Sequence, residues 1–183
     1  MSRAEQILDE LRPRLSPKII AQIPRLAEAI QQSRRICCYG VGREGLMMKA
    51  LVMRLYHLGL DAHVVGEMTT PSVAKNDLLF VSAGPGNFST VAALADVARK
   101  AGSMVACITA EPKGAVSRSA DIIVNLPAQT MAADQGKSAT SILPMGSLYE
   151  LLMFIFCELL VLELRDCLDI SYQDMRTKHT NLE

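Results

Sequence analysis

The chain has 183 residues, half of them apolar and only 4% aromatic, with 19 basic and 19 acidic side chains that cancel to a formal net charge of +0. That length suits one sizeable core rather than two ordinary domains, and the core must be built from Leu, Ile, Val, Ala and ten Met. Balanced charge removes the basic footprint of a nucleic-acid binder or a membrane-surface protein and favours a small-molecule partner.

Residues 4–11 and 17–31 carry apolar side chains at helical spacing, with Ser16-Pro17 as cap and first-turn pair, so two helices precede any strand. The first apolar run, 35–39, stops at Gly40-Val41-Gly42-Arg43-Glu44-Gly45 and opens a helical pattern that ends near Leu58-Gly59. Strands are predicted over 62–65, 78–81, 104–109 and 121–126. The helices between them run over about 89–101 and from Glu111-Pro112 to about Ser119. Continuous apolar strands alternating with helices predict a parallel sheet covered on both faces. Residues 127–142 lack periodicity and read as a long mobile loop, followed by one apolar helix over 145–167 and a short polar tail.

Five cysteines, two of them the adjacent Cys37 and Cys38, with no C-x-x-C spacing, predict buried reduced thiols of a cytoplasmic protein. The first residues are charged and predict no secretory leader. The most apolar stretch, 151–162, is broken by Glu158 and bounded by Glu150 and Glu163. It is shorter than the roughly 20 residues of a membrane span, and reads as a buried or inter-subunit helix.

Two glycine turns carry the functional signal. Gly40-x-Gly42-x-x-Gly45 after the first strand fits a dinucleotide fingerprint, with Glu67 near the place of a ribose-binding acid, so a NAD-dependent enzyme is one reading. The second turn, Ser82-Ala-Gly84-Pro-Gly86-Asn87-Phe-Ser89-Thr90, follows the third strand and opens a helix. It offers hydroxyls, free amides and a helix N-terminus to an anion such as phosphate. In the strand order 2-1-3-4-5 the ends of strands one and three flank the switch point where open sheets bind ligands, whereas in the Rossmann order the third strand lies at an edge. One pocket then explains both turns, and the flavodoxin-like order is favoured. Either turn alone is equally well a plain tight turn. Arg43 could add a charge-assisted contact to the anion. No His, Cys or carboxylate set has metal-ligand spacing, so no metal is expected.

Several motifs give the chain a resemblance that runs nearly end to end. Tyr39-Gly-Val-Gly-Arg-Glu-Gly-Leu46, Met53-Arg-Leu-Tyr-His-Leu-Gly59, Val65-Gly-Glu67 with Thr70-Pro71, Leu143-Pro-Met-Gly-Ser-Leu-Tyr-Glu150 and Arg176-Thr-Lys-His179-Thr-Asn-Leu-Glu183 resemble the SIS (sugar isomerase) domain family, in its 6-phospho-3-hexuloisomerase branch. The resemblance implies a single α/β domain with a five-stranded flavodoxin-like sheet, extra N-terminal helices and a long C-terminal helix. It also implies a homo-oligomer, often a tetramer, that binds a phosphorylated sugar and shifts its carbonyl without a cofactor.

Such isomerisation passes a proton through an enediol and needs a base over the C–H. The resemblance places Glu150 as that base and His179 as acid–base partner, reaching a pocket of its own or of a neighbouring subunit, with Glu67 a weaker candidate. Read from sequence alone, Glu150 is more readily a helix-dipole carboxylate and His179 a solvated tail residue; the resemblance reverses the reading of Glu150. Substrate and phosphate contacts fall to Gly42, Arg43, Ser82, Gly84, Gly86, Asn87, Ser89 and Thr90; His57 and His63 read as structural.

Two positions depart from the family pattern. Glu44 stands where the branch usually has serine, and the third-strand turn replaces the second serine of S-x-S-G-[ED]-T. An anionic Glu44 beside a phosphate is repelled unless it turns away or pairs with Arg43. A non-catalytic phosphosugar-binding or regulatory protein is therefore the alternative reading.

Overall fold

A computed structural model describes residues 1–182. Five parallel strands, β1 (Arg35–Tyr39), β2 (Ala62–Val64), β3 (Asp77–Ser82), β4 (Met104–Thr109) and β5 (Ile122–Asn125), form one sheet in the order β2-β1-β3-β4-β5. This is the flavodoxin-like order, so both glycine turns emerge from neighbouring strands, as the switch-point argument requires.

The central strand β3 is buried along its whole length because both of its faces are covered. Its side chains divide by strand period. Leu78 and Phe80 join Ile36, Cys38 and Ile108 in the larger core, beneath helices α1 (Arg3–Leu11), α2 (Pro17–Ile20), α3 (Ile23–Gln32), α4 (Gly42–His57) and α7 (Ser147–Cys167). Leu79 and Val81 join Cys37, Val105 and Cys107 in the smaller one, under α5 (Ser89–Lys100) and α6 (Ala115–Arg118).

Three differences from the sequence reading have physical causes. The expected helix over 17–31 is broken between α2 and α3, because Pro24 has no N–H to continue the ladder. The freed Gln22 bonds the β5 backbone at Asn125 in both directions, at 2.8 and 3.1 Å. The polar tail contains α8 (Tyr172–Thr177), nucleated by a reciprocal capping box between Ser171 and Asp174. The expectation of five buried thiols holds for four; Cys167, the last residue of α7, is exposed.

Helix ends near the sheet are fixed by local chemistry. α4 closes with Gly59 N–H on Tyr56 O and Leu60 N–H on Leu55 O, around Gly59 at φ +87°. The stretch expected as a long loop over 127–142 contains two short 3-10 turns, and the segment 127–146 is organised around Gln129. The Gln129 carbonyl accepts from Thr140 and Ser141 N–H at 2.7 and 3.0 Å, and its amide donates to Leu143 and Met145 O. Glu10 of α1 holds the same segment through Ser141 Oγ and Ile142 N. Among the described residues, no helix is long and apolar enough to cross a membrane.

Candidate functional site

At the carboxyl edge of the sheet, a cavity of about 330 Å³ opens between the β1–α4 turn, the β3–α5 turn, the 127–146 segment and the start of α7. Val41, Pro85, Phe88, Met131 and Met145 supply apolar walls; Arg43, Glu44 and Glu150 supply charge.

The β1–α4 turn is built by close backbone packing. A Cβ on Gly45 would lie 2.5 Å from Gly40 O, so the helix meets the strand end backbone to backbone, and Gly42 takes φ +58° to start α4. This sets Arg43 and Glu44 in the first turn of α4, where they part company. Arg43 turns to α7, and its Nε donates to Glu150 Oε2 at 2.5 Å. Glu44 turns inward, accepting from Ser82 Oγ at 2.5 Å and from Gly84 N–H at 3.0 Å. It neither points away nor pairs with Arg43.

Glu44 and Tyr149 make the cavity floor, with Ser82 and Gly84 beneath them. Tyr149 is 1% exposed, and its hydroxyl lies 3.1 Å from Ser82 Oγ. Gly84 fits because it has no Cβ: one would stand 2.7 Å from Glu44 Oε1 and 2.9 Å from Tyr149 Cε1. Burial raises the Glu44 carboxyl above its ordinary pKa, with the two hydrogen bonds pulling the other way. Burial also pushes the Tyr149 phenol well up, helped by the Glu44 charge.

At the mouth, Glu150 sits in the first turn of α7 and is buried, while the Arg43 side chain is 64% exposed. Met145, just before α7, holds a left-handed backbone at φ +54°, a costly conformation for a residue with a side chain. Gln129 fastens its carbonyl there.

The expected site residues are thus divided by the structure. Gly42, Arg43 and Glu150 line the cavity, with Ser82 and Gly84 under its floor. Gly86 does backbone work: at φ +83° it packs against the β4–α6 connection, where a Cβ would meet Gly114 Cα at 2.9 Å. Asn87, Ser89 and Thr90 are exposed and outside the lining. Glu67 lies in a neighbouring recess between the β1 and β2 ends, with Lys49. His179 is at the far end of α4, its ring stacked on His57 at 5.5 Å between centroids. The 16 residues of α4, at about 1.5 Å each, put it more than about 20 Å from Glu150 within one chain.

The residues the sequence reading passed over are Tyr149 and Thr130. Tyr149 stood inside the quoted motif, where its spacing one residue before Glu150 turns it to the floor. Thr130 lines the cavity from a segment without periodicity, so no pattern announces it.

The SIS domain pattern matches residues 29–155. A 3-hexulose-6-phosphate isomerase of Bacillus subtilis is 34% identical over 178 residues, covering 97% of this chain and 96% of that protein. One from Mycobacterium gastri is 38% identical over 162 residues, covering 88% and 80%. Among solved structures, a hypothetical protein from Methanococcus jannaschii, whose structure was taken to infer 3-hexulose-6-phosphate isomerase function, superposes with a TM-score of 0.82 at 29% identity, covering 98% of this chain and 96% of that one.

Proposed function

The chain belongs to the SIS domain family, and we propose that it is a phosphosugar isomerase of the 3-hexulose-6-phosphate type, one that moves a ketose carbonyl between neighbouring carbons. The observation that carries this reading is the Arg43–Glu150 pair at the mouth of a cavity placed at the sheet's switch point. A carboxylate steadied by an exposed guanidinium can take the proton from the carbon next to the carbonyl and return it to the neighbouring carbon. Arg43, once released, faces the oxygens on which charge develops in the enediolate. The chemistry calls for no cofactor.

His179 enters as acid–base partner from a second copy of the chain. The distance from Glu150 within one chain supports this, as do the exposed apolar side chains Leu151, Phe154 and Leu162 along α7, which suit a subunit contact. Such a homo-oligomer, with sites at subunit boundaries, would work in the cytoplasm.

Incubation with 3-hexulose 6-phosphate, following fructose 6-phosphate, tests the activity. Turnover is expected; tight sugar-phosphate binding without turnover would favour a non-catalytic, regulatory SIS protein, a reading to which the inward Glu44 lends support. Mixing inactive Glu150→Gln and His179→Ala proteins and allowing subunits to exchange is expected to restore part of the activity. No recovery on exchange would place His179 outside the site.

A further inference from the structure

The cavity floor already holds an acidic group. Glu44 Oε2 accepts from a hydroxyl, Ser82 Oγ, and from a backbone amide, Gly84 N–H. These are the donor types that receive phosphate oxygens at such turns.

Three features make this carboxylate a built part of the site. It is 7% exposed, so the donors are shut away with it. Gly84 leaves room for it, since a Cβ would come to 2.7 Å of Oε1. The cation next to it in sequence, Arg43, is committed to Glu150 instead.

The groups facing Glu44 from the surrounding elements do not neutralise it. Tyr149 and Glu150 come from α7 and Cys107 from β4; the first two line the cavity, and Cys107 is buried behind it. With Arg43 the lining carries two carboxylates and one guanidinium, so a phosphate dianion brought to this floor meets net negative charge at short range.

We propose that Glu44 is a specificity-determining residue: its carboxylate fills the anion cradle of the β3–α5 turn and competes there with the phosphate of the substrate. This rests on the phosphosugar reading of the cavity and deepens it. The native chain then binds a phosphorylated sugar only modestly better than the same sugar without phosphate, because the phosphate must displace Glu44 to reach Ser82 Oγ and Gly84 N–H. The pairing of Glu44 with Gly84 is one device: the acid takes the donors, and the missing Cβ gives it space.

Calorimetric titration of fructose 6-phosphate, fructose and inorganic phosphate into the wild type, Glu44→Gln and Glu44→Ser tests this. Glu44→Gln removes charge and keeps the atoms; Glu44→Ser also empties the cradle. Fructose 6-phosphate is expected to bind at least about tenfold tighter to Glu44→Ser, with a smaller gain in Glu44→Gln, a parallel gain for inorganic phosphate and none for fructose. Equal or weaker binding of fructose 6-phosphate by Glu44→Ser overturns the proposal. Should that variant not fold, an unchanged affinity in the near-isosteric Glu44→Gln overturns it equally. Turnover of 3-hexulose 6-phosphate is a separate readout. An inactive wild type whose Glu44→Ser form gains phosphate affinity overturns the isomerase reading alone, and an active wild type with no gain in Glu44→Ser overturns the present proposal alone.

Discussion

The floor and the mouth of the cavity each hold one carboxylate, and they are held by opposite means. Glu44 is fixed by neutral donors, a hydroxyl and an amide, inside a shell completed by Gly84 and Tyr149. Glu150 is fixed by one ion pair to an arginine whose side chain is 64% exposed. Neutral, buried donors lock a group in place, and the burial works against its charge. An exposed guanidinium holds the charge loosely and can leave. The floor is therefore a fixed, packed shell, while the mouth holds its carboxylate by a contact that solvent can reach.

The largest expected effect breaks the mouth. Glu150→Gln keeps the shape and removes the proposed base, so turnover should fall by about 10²–10⁴-fold, while the dissociation constant for fructose 6-phosphate stays within a few-fold. Steady-state kinetics beside calorimetry separates the two quantities. An active Gln variant would move the chemistry away from the mouth.

The floor is broken by adding a side chain. Gly84→Ser drives a Cβ to 2.7 Å of Glu44 Oε1 and 2.9 Å of the Tyr149 ring, an overpacking expected to cost about 1–3 kcal/mol in urea denaturation. In a Glu44→Ser background the carboxylate contact is gone and the tyrosine contact remains, so the cost should shrink without vanishing. Strict additivity of the two substitutions would show that the floor is not interlocked. Tyr149→Phe is milder. It removes one hydroxyl contact to Ser82, which keeps Glu44 as its acceptor, and about 1 kcal/mol is expected.

Legibility in the sequence follows the same division. The sheet order could be argued because both glycine turns had to meet at one point, and β1 and β3 are adjacent in register from Arg35–Asp77 to Tyr39–Val81. Glu150 could be named because a motif carries it, and it stands in the cavity. The direction Glu44 takes could not be read, since turning inward depends on Gly84, which follows 40 residues later and is brought near only by strand pairing. Ser89 and Thr90 differ from Glu44 in kind: a hydroxyl at a helix start promises an anion contact, and α5 carries both exposed, outside the cavity lining. The break between α2 and α3 has a local cause in Pro24, which the periodicity over 17–31 masks, whereas its anchor, Gln22 on Asn125, spans 103 residues and leaves no local trace.

The smallest expected effect probes the floor carboxylate through pH. Burial raises the native pKa of Glu44 above its ordinary 4.5, and the hydrogen bonds from Ser82 and Gly84 offset part of that rise. The native state thus holds this proton at pH values where the unfolded chain has released it. Stability falls with pH wherever the native state binds more protons, so the contribution is complete below about pH 4.5 and is lost as pH rises through the native value. Glu44→Gln cannot titrate. Compared by urea denaturation from pH 4 to pH 8, the wild type should lose stability relative to Glu44→Gln above the ordinary glutamate range and then run parallel to it. A difference that stays flat would mean that the hydrogen bonds from Ser82 and Gly84 cancel burial altogether.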